Sequence, residues 1–133
     1  MEITVSHEQG RVPVSVLHVA DDIDSSNYEK LDQVAEQEIQ AGAKYILVDL
    51  TEVGFISSAG FRSFTKIFKK LRSLAANDND DEMPKGTLNS GVSKSPYLKL
   101  YNPCKLVTET MKIAGFDLLL EVHDNLQAAI ASF

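Results

Sequence analysis

Residues 45–62 read YILVDLTEVGFISSAGFR, and this stretch decides the fold of the chain. Its opening run, residues 45–50, is apolar apart from Asp49, which indicates a central strand covered on both faces. A short polar turn follows, and Ser57 and Ser58 then precede an amphipathic helix. Serine at a helix N-terminus meets unpaired backbone N–H groups and the positive end of the helix dipole, where a phosphate is stabilised. The serine pair therefore predicts a helix cap, a regulatory phosphorylation site, or both.

The composition is that of a single globular domain. The chain has 133 residues, of which 44% are hydrophobic and 24% are charged. Its longest apolar runs, residues 45–48 and 118–120, fall far short of the roughly 20 residues that a membrane-spanning helix needs. The formal net charge of −6 argues against nucleic-acid binding, which depends on basic surface. We therefore expect neither membrane insertion nor a nucleic-acid partner.

The compartment is predicted from the N-terminus and from cysteine usage. Residues 1–6 lack the basic and apolar regions of a secretory signal. Cys104 is the single cysteine, so no internal disulfide is expected, which suits a reducing environment. Both features predict a cytoplasmic protein.

Hydrophobic periodicity predicts the elements of the first part of the chain. Two apolar runs, residues 3–6 and 12–19, predict a β-hairpin. A helix is expected next, opened by a capping box of Ser26 and Glu29. Gly42 is then expected to end this helix at its C′ position, just before the central strand.

A second helix is predicted over residues 58–74, where apolar residues recur at helical spacing. The periodicity then stops, and residues 75–96 are acidic at first and afterwards rich in small polar residues. Connections this long are uncommon in compact domains, so we interpret the segment as a flexible insertion within one domain spanning residues 1–133. The acidic run 77–82 lacks the glycine and glutamate of a calcium-binding loop at the required positions, so no metal is expected there.

The remaining residues predict two more strands and two more helices. A strand over residues 97–101 precedes a helix that Asn102 caps, with a proline in its first turn, and that Gly115 ends. A last strand over residues 117–122 is followed by a short helix with Asp124 as its cap. The order β-β-α-β-α-β-α-β-α predicts an α/β fold with a mixed, largely parallel sheet covered by helices.

The sequence contains no pattern typical of catalysis. His7, His18 and His123 lie in or beside strands without a partner nearby in sequence, so we interpret them as structural or surface residues. Cys104 falls in the first turn of the third predicted helix, where we expect it to be a buried space-filling residue. Glycine motifs for phosphate or dinucleotide binding are absent from the sequence. We therefore predict a non-enzymatic protein without a cofactor.

One set of acids leaves an enzyme-class alternative open. Asp21 and Asp22 follow one predicted strand, and Asp49 lies in the next. This arrangement resembles the response-regulator receivers, in which paired acids hold magnesium beside a phosphorylated aspartate. Only 27 residues separate Asp22 from Asp49, which leaves room for one helix and one strand, whereas a receiver has a further strand and helix in that interval. The spacing disfavours this alternative.

Three segments resemble the STAS domain family, the sulphate transporter and anti-sigma factor antagonist domains. Residues 47–62, LVDLTEVGFISSAGFR, are similar to the family pattern of a strand followed by D-L-S-x-V-x-F-I-[DS]-S-[SA]-G-[LF]. Residues 22–24, DID, are similar to its G-x-L-D element, and residues 111–117, MKIAGFD, to its L-x-x-x-G-[LF] element. The matches span nearly the whole chain apart from the insertion, and they imply a STAS-like (SpoIIAA-like) fold.

The resemblance implies a partner-switching regulator that controls transcription by protein binding. In the antagonist branch of the family, an anti-sigma factor that is also a serine kinase, of the histidine-kinase-like ATPase type, phosphorylates a serine at the start of the second helix. Ser58 matches this position, and Ser57 is a weaker candidate that we interpret as the cap or as a neighbour shaping the site. The unphosphorylated form binds the partner and frees the sigma factor, whereas the phosphorylated form is released. The resemblance also implies a phosphatase as a further partner.

The resemblance also implies which residues contact the partner. Asp24 matches a family acid near the phosphorylation site, and the other expected contacts are Ser57, Ser58, Ala59, Gly60 and Arg62. Two departures are that Ser57 stands where aspartate is common and Asp21 where the family has glycine. They leave open a second function within the family, that of a STAS subunit that scaffolds a membrane transporter or another regulatory assembly without phosphorylation.

Overall fold

The computed structural model describes residues 2–78 and 94–133. Its strands are β1 (Glu2–Gln9), β2 (Pro13–Ala20), β3 (Ile46–Glu52), β4 (Leu98–Tyr101) and β5 (Glu121–His123). Its helices are α1 (Tyr28–Gln40), α2 (Ser58–Asp78), α3 (Lys105–Ala114) and α4 (Leu126–Ala131), and a 3-10 turn at Phe116–Leu118 lies between α3 and β5.

The strands form one sheet in the order β1-β2-β3-β4-β5. β1 pairs with β2 in the antiparallel sense, and each later pair of neighbours is parallel, so the predicted mixed, largely parallel sheet is confirmed. Receivers have the strand order 2-1-3-4-5, which this sheet does not share. The receiver interpretation of Asp21, Asp22 and Asp49 is therefore wrong.

β3 is buried on both faces, as its apolar run predicts. Ile46 and Val48 belong to the larger core, which includes side chains of α1, α2 and α3. Leu47 points to the other face and belongs to a smaller core with Ala129 and Ile130 of α4. The alternation follows from the period of two along a strand, and it means that helices cover the sheet on both sides.

The start of α1 differs from the prediction. Asn27 occupies the N-cap position, and the described residues provide no side-chain cap there, so the predicted capping box of Ser26 and Glu29 is wrong. Ser26 instead donates from its backbone N–H and its Oγ to Asp24 Oδ1, at 2.8 and 2.5 Å. The turn before α1 is therefore organised by an aspartate that lies ahead of the predicted cap.

Two predicted glycine stops are confirmed, because Gly42 and Gly115 follow α1 and α3 with φ angles of 107° and 81°. Glycine adopts this left-handed region at little cost, which suits it to the C-terminus of a helix. α2 continues to Asp78, beyond its predicted end at residue 74. Residues 79–93 of the predicted insertion lie outside the described residues, and so does most of the acidic run.

The C-terminal boundaries also shift. The N-cap of α3 is Cys104 and not Asn102, and Cys104 is exposed, so its predicted burial is wrong. The last strand starts later than predicted because a 3-10 turn occupies Phe116–Leu118. Asn125 rather than Asp124 caps α4, since its side chain accepts a backbone N–H of the first turn at 2.9 Å.

A membrane-crossing helix was sought in residues 2–78 and 94–133, and none of the helices there has the length and apolar character required.

Leu47→Ala is expected to lower the free energy of unfolding by roughly 2–5 kcal/mol, because it leaves a cavity between β3 and α4. Urea denaturation measures this change. Leu74→Ala, at a side chain 37% exposed on α2, is the matched control and should change stability by less than about 0.5 kcal/mol. Equal stability of the two variants would contradict the existence of a second core beneath α4.

Candidate functional site

The loops that leave β2 and β3 are joined to each other. Ile23 and Ile56 form an isolated parallel bridge. The Ile23 N–H donates to Phe55 O at 3.0 Å, and the Ser57 N–H donates to Ile23 O at 2.8 Å. Both isoleucine side chains are fully buried. The Ile23–Ile56 bridge therefore holds Asp24 beside the segment that enters α2.

Gly60 lets the first turn of α2 lie directly on the Ile23–Ile56 bridge. A Cβ at this position would be 2.7 Å from Ile56 Cγ2 and 2.8 Å from Ile23 Cγ2, far inside van der Waals contact. Ala59, in the same turn, is only 4% exposed. Ala59 and Gly60, both expected partner contacts, are thus packed inwards, where they set the position of the helix.

Ser57 and Ser58 lie in different environments. Ser57 is the residue before α2, and its backbone oxygen accepts the Phe61 N–H at 3.0 Å. Its Oγ is buried and has no hydrogen-bond partner among the described residues, so the expected capping by the Ser57 side chain is wrong. Ser58 is the first residue of α2 and is exposed. The accessible hydroxyl at the start of the helix is therefore that of Ser58.

The surroundings of Ser58 favour an anion. The first turn of α2 carries no acidic residue to neutralise its N–H groups and dipole. Arg62 is exposed four residues further on, so it lies on the same face of the helix as Ser58. The loop before α2 adds an apolar ring to this surface, because Phe55 is 42% exposed. Cys104 Sγ lies 3.7 Å from Gly54 O, which places the start of α3 beside this loop.

Asp24 shapes the turn before α1. Its backbone oxygen accepts the N–H groups of Asn27 and Tyr28 at 3.2 and 3.0 Å, in addition to the two bonds that Ser26 donates to its carboxylate. The side-chain and backbone hydrogen bonds from Ser26 lower the pKa of Asp24. Asp24 is therefore an ionised anchor of the loop that the Ile23–Ile56 bridge brings to the start of α2.

Asp22 makes a second hydrogen-bonded link between the two loops. Its Oδ1 accepts the Gly54 N–H at 3.0 Å, and its backbone oxygen accepts from Asn27 Nδ2 at 2.8 Å. In residues 2–78 and 94–133, no three His, Cys, Asp or Glu side chains are grouped in a way that could hold a metal ion. The acids of these loops therefore act as hydrogen-bond acceptors that fix the loop geometry.

Sequence reasoning missed a polar network on the face of the sheet that α4 partly covers. His18 Nδ1 donates to Asp49 Oδ2 at 2.7 Å, and Ser6 Oγ lies 2.9 Å from His18 Nε2. Asp49 Oδ1 accepts from the Thr51 N–H and Oγ1 at 3.0 and 2.6 Å. Burial raises the pKa of Asp49, but the bonds from Thr51 and His18 outweigh burial, so this pKa is lowered overall. The available signal was that His18 interrupts the apolar run 16–19 and Asp49 the apolar run 45–50.

The other two histidines lie within hydrogen-bonding distance of carboxylates. His7 Nε2 lies 2.7 Å from Glu38 Oε1, and His123 Nε2 lies 3.0 Å from Glu121 Oε1. Both are structural or surface residues, as predicted.

Gly60→Ala is expected to destabilise the protein by roughly 1–3 kcal/mol, because the added methyl group has to displace two buried isoleucines. The free energy of unfolding in urea measures the effect. Ser58→Ala, at an exposed position of the same turn, is the matched control, with an expected change below about 0.5 kcal/mol. If Gly60→Ala is as stable as the wild type, α2 does not rest on the Ile23–Ile56 bridge as described.

Acid should weaken the fold through Asp49. A carboxyl group with a lowered pKa in the folded state stabilises that state above its unfolded pKa, and the contribution is lost as the pH falls through the ordinary value of 3.8 and below. Between about pH 5 and pH 3, the free energy of unfolding of Asp49→Asn is therefore expected to fall less steeply than that of the wild type. Urea titrations across this range test it, with exposed Asp124→Asn as the control. A wild-type slope in Asp49→Asn would show that the network contributes nothing.

Solved structures of similar shape are anti-sigma factor antagonists. A candidate antagonist from Thermotoga maritima matches with a TM-score of 0.73 and 15% identity, over 96% of this chain and 91% of that one. An antagonist from Mycobacterium paratuberculosis gives 0.67 and 17%, over 98% and 93%. Phosphorylated SpoIIAA from Bacillus gives 0.63 and 14%, over 97% and 96%. At these identities the likeness shows the fold alone, and it confirms the predicted SpoIIAA-like architecture.

Sequence comparison identifies the family. No curated protein sequence matches the chain significantly. The family model for the STAS domain matches residues 5–77, more than half of the chain. The matched region contains both loops of the Ile23–Ile56 bridge and the start of α2. The resemblance seen in the sequence is thereby confirmed, and the chain belongs to the STAS domain family.

Proposed function

We propose that this protein is a partner-switching regulator of the anti-sigma factor antagonist type, controlled by phosphorylation of Ser58. The observation that carries the proposal is an exposed serine hydroxyl at the first residue of α2, beside an Asp24 loop fixed by the Ile23–Ile56 bridge. Membership of the STAS family and the fold of the antagonists support it. SpoIIAA, which shares this fold, is known in both phosphorylated and unphosphorylated forms.

The proposed partner is an anti-sigma factor with serine kinase activity, of the histidine-kinase-like ATPase type. It would transfer a phosphoryl group to Ser58 Oγ, and this chain would supply only the acceptor. The new charge of about −1.5 to −2 would lie beside the free N–H groups of α2, which stabilise it. In this proposal the switch works in the cytoplasm, and a phosphatase that removes the phosphate resets it.

Release of the partner would then arise at the contact surface. The unmodified surface around Ser58 combines the half-exposed ring of Phe55 with the exposed guanidinium of Arg62. A phosphate dianion at a packed contact has to lose its hydration, which is costly unless the partner offers matching charge. Because Ala59 and Gly60 remain packed below, the domain itself is expected to change little.

Incubation with a cognate kinase of this type and ATP should place one phosphate on Ser58, which peptide mass spectrometry locates. Ser58→Ala should abolish the modification. Ser57→Ala is the adjacent control and exposed Ser73→Ala is the control on the same helix, and both should be modified as the wild type is. Phosphate on Ser57, or none on Ser58, would contradict the assignment of the acceptor.

Ser58→Asp should bind the same partner at least about tenfold more weakly than Ser58→Ala, which corresponds to about 1.4 kcal/mol. Isothermal titration calorimetry measures both dissociation constants. The scaffold alternative predicts equal binding of the two variants, so equal constants would favour a STAS subunit that works without phosphorylation. Amide shifts confined to the region of Ser58 on phosphorylation would agree with a surface switch.

A further inference from the structure

A continuous hydrogen-bond chain links three side chains on neighbouring strands of the sheet. His18 of β2 and Asp49 of β3 are direct partners in the parallel register. Ser6 of β1 lies two residues from Thr4, the antiparallel partner of His18, and therefore points to the same face of the sheet. The Ser6 Oγ–His18 Nε2 and His18 Nδ1–Asp49 Oδ2 distances are 2.9 and 2.7 Å.

The hydrogen bonds indicate which atoms of the Ser6–His18–Asp49 network carry protons. Asp49 is held as a carboxylate by Thr51, whose Oγ1 in turn accepts from Asn102 Nδ2 at 3.2 Å. An ionised carboxylate only accepts hydrogen bonds, so His18 Nδ1 carries the proton that it donates to Asp49. In the neutral imidazole His18 Nε2 is then the acceptor, and the Ser6 hydroxyl donates to it. The imidazole is thus oriented to remove a proton from Ser6.

All three side chains of the Ser6–His18–Asp49 network are partly exposed, and the acid is more covered than the histidine. The Asp49 side chain is 16% exposed and the His18 side chain 34% exposed. Ser6 lies on the outermost strand, β1, and is partly exposed. A serine hydroxyl bonded to a base that is in turn oriented by a carboxylate is the arrangement that activates serine as a nucleophile.

From this geometry we infer that Ser6 is a reactive nucleophile that cleaves small activated carboxylic esters, independently of the proposed switch at Ser58. Ser6 Oγ bonds to the acyl carbon while its proton passes to His18 Nε2, and the C–O bond to the leaving alcohol breaks. The imidazolium protonates the leaving oxygen. Water then attacks the acyl-Ser6 ester, gives its proton to His18 Nε2, and releases the carboxylic acid as the proton returns to Ser6 Oγ. The net reaction is ester plus water to acid plus alcohol.

The open position of the site limits the substrate class. General-base assistance by a positioned imidazole contributes roughly 10²–10⁴-fold to a rate. On a half-exposed sheet surface this assistance suffices for esters with good leaving groups, such as aryl acetates, whereas amides are expected to be inert. The proposed activity is therefore a slow esterase activity with acylation at Ser6.

The test is covalent labelling of the full chain with a fluorophosphonate, which forms a phosphonyl ester with an activated serine and expels fluoride. Peptide mass spectrometry is expected to place the label on Ser6. His18→Gln and Asp49→Asn should each slow it by at least about tenfold. Exposed Ser73→Ala is the control and should react as the wild type does.

Hydrolysis of 4-nitrophenyl acetate gives the second measurement. Ser6→Ala removes one hydroxyl from a partly exposed strand position, and circular dichroism checks that the variant is folded. The rate of ester hydrolysis by Ser6→Ala should fall to that of the double variant Ser6→Ala, His18→Gln. Absence of label on Ser6 in the wild type, or an unchanged ester hydrolysis rate in folded Ser6→Ala, overturns the proposal and leaves the three residues as a structural network. Neither result depends on whether a kinase modifies Ser58.

Discussion

The bridge between Ile23 and Ile56 is the constraint on which the rest of the candidate site depends. Two backbone hydrogen bonds fix the loops after β2 and β3 to each other, and the two isoleucine side chains are buried beneath these loops. The first turn of α2 can pack directly against the isoleucines only because Gly60 has no Cβ. The position of Ser58 therefore follows from backbone pairing and from close packing at Gly60.

The long elements could be predicted from the sequence because each buries a continuous apolar face. The apolar run that precedes Asp49 predicts β3, and the apolar residues at helical spacing predict α2. Both elements lie where the sequence predicts them. The starts of α1, α3 and α4 were not predicted correctly, because each lies among several polar residues that cap almost equally well. Asp24 organises the turn that Ser26 was expected to cap, and Asn125 caps the helix expected to start after Asp124. Tertiary contacts decide among such neighbours, and one sequence does not contain that information.

Two features of the sites could not be derived from local pattern at all. Ala59 and Gly60 look like surface neighbours of Ser58 in sequence, but the close approach to the Ile23–Ile56 bridge turns them inwards. The partners of His18 are 12 and 31 residues away along the chain, so they meet only when the strand register is known. A rule that pairs polar residues across adjacent parallel strands would have found Asp49, but it would not have found Ser6 on the antiparallel strand.

The electrostatics of the proposed switch point to the partner surface as the place where it acts. A phosphate on Ser58 gains from the N-terminus of α2 an interaction that is typically about 0.3–1 kcal/mol, and up to about 2 kcal/mol when partly buried. The ionised carboxylate of Asp24 lies on the adjoining loop, and like charges there oppose part of this gain. The two contributions have opposite sign, so we expect phosphorylation to change the stability of the domain little. A large effect on binding then has to come from the partner, which meets either a neutral hydroxyl or a hydrated dianion on an otherwise unchanged surface.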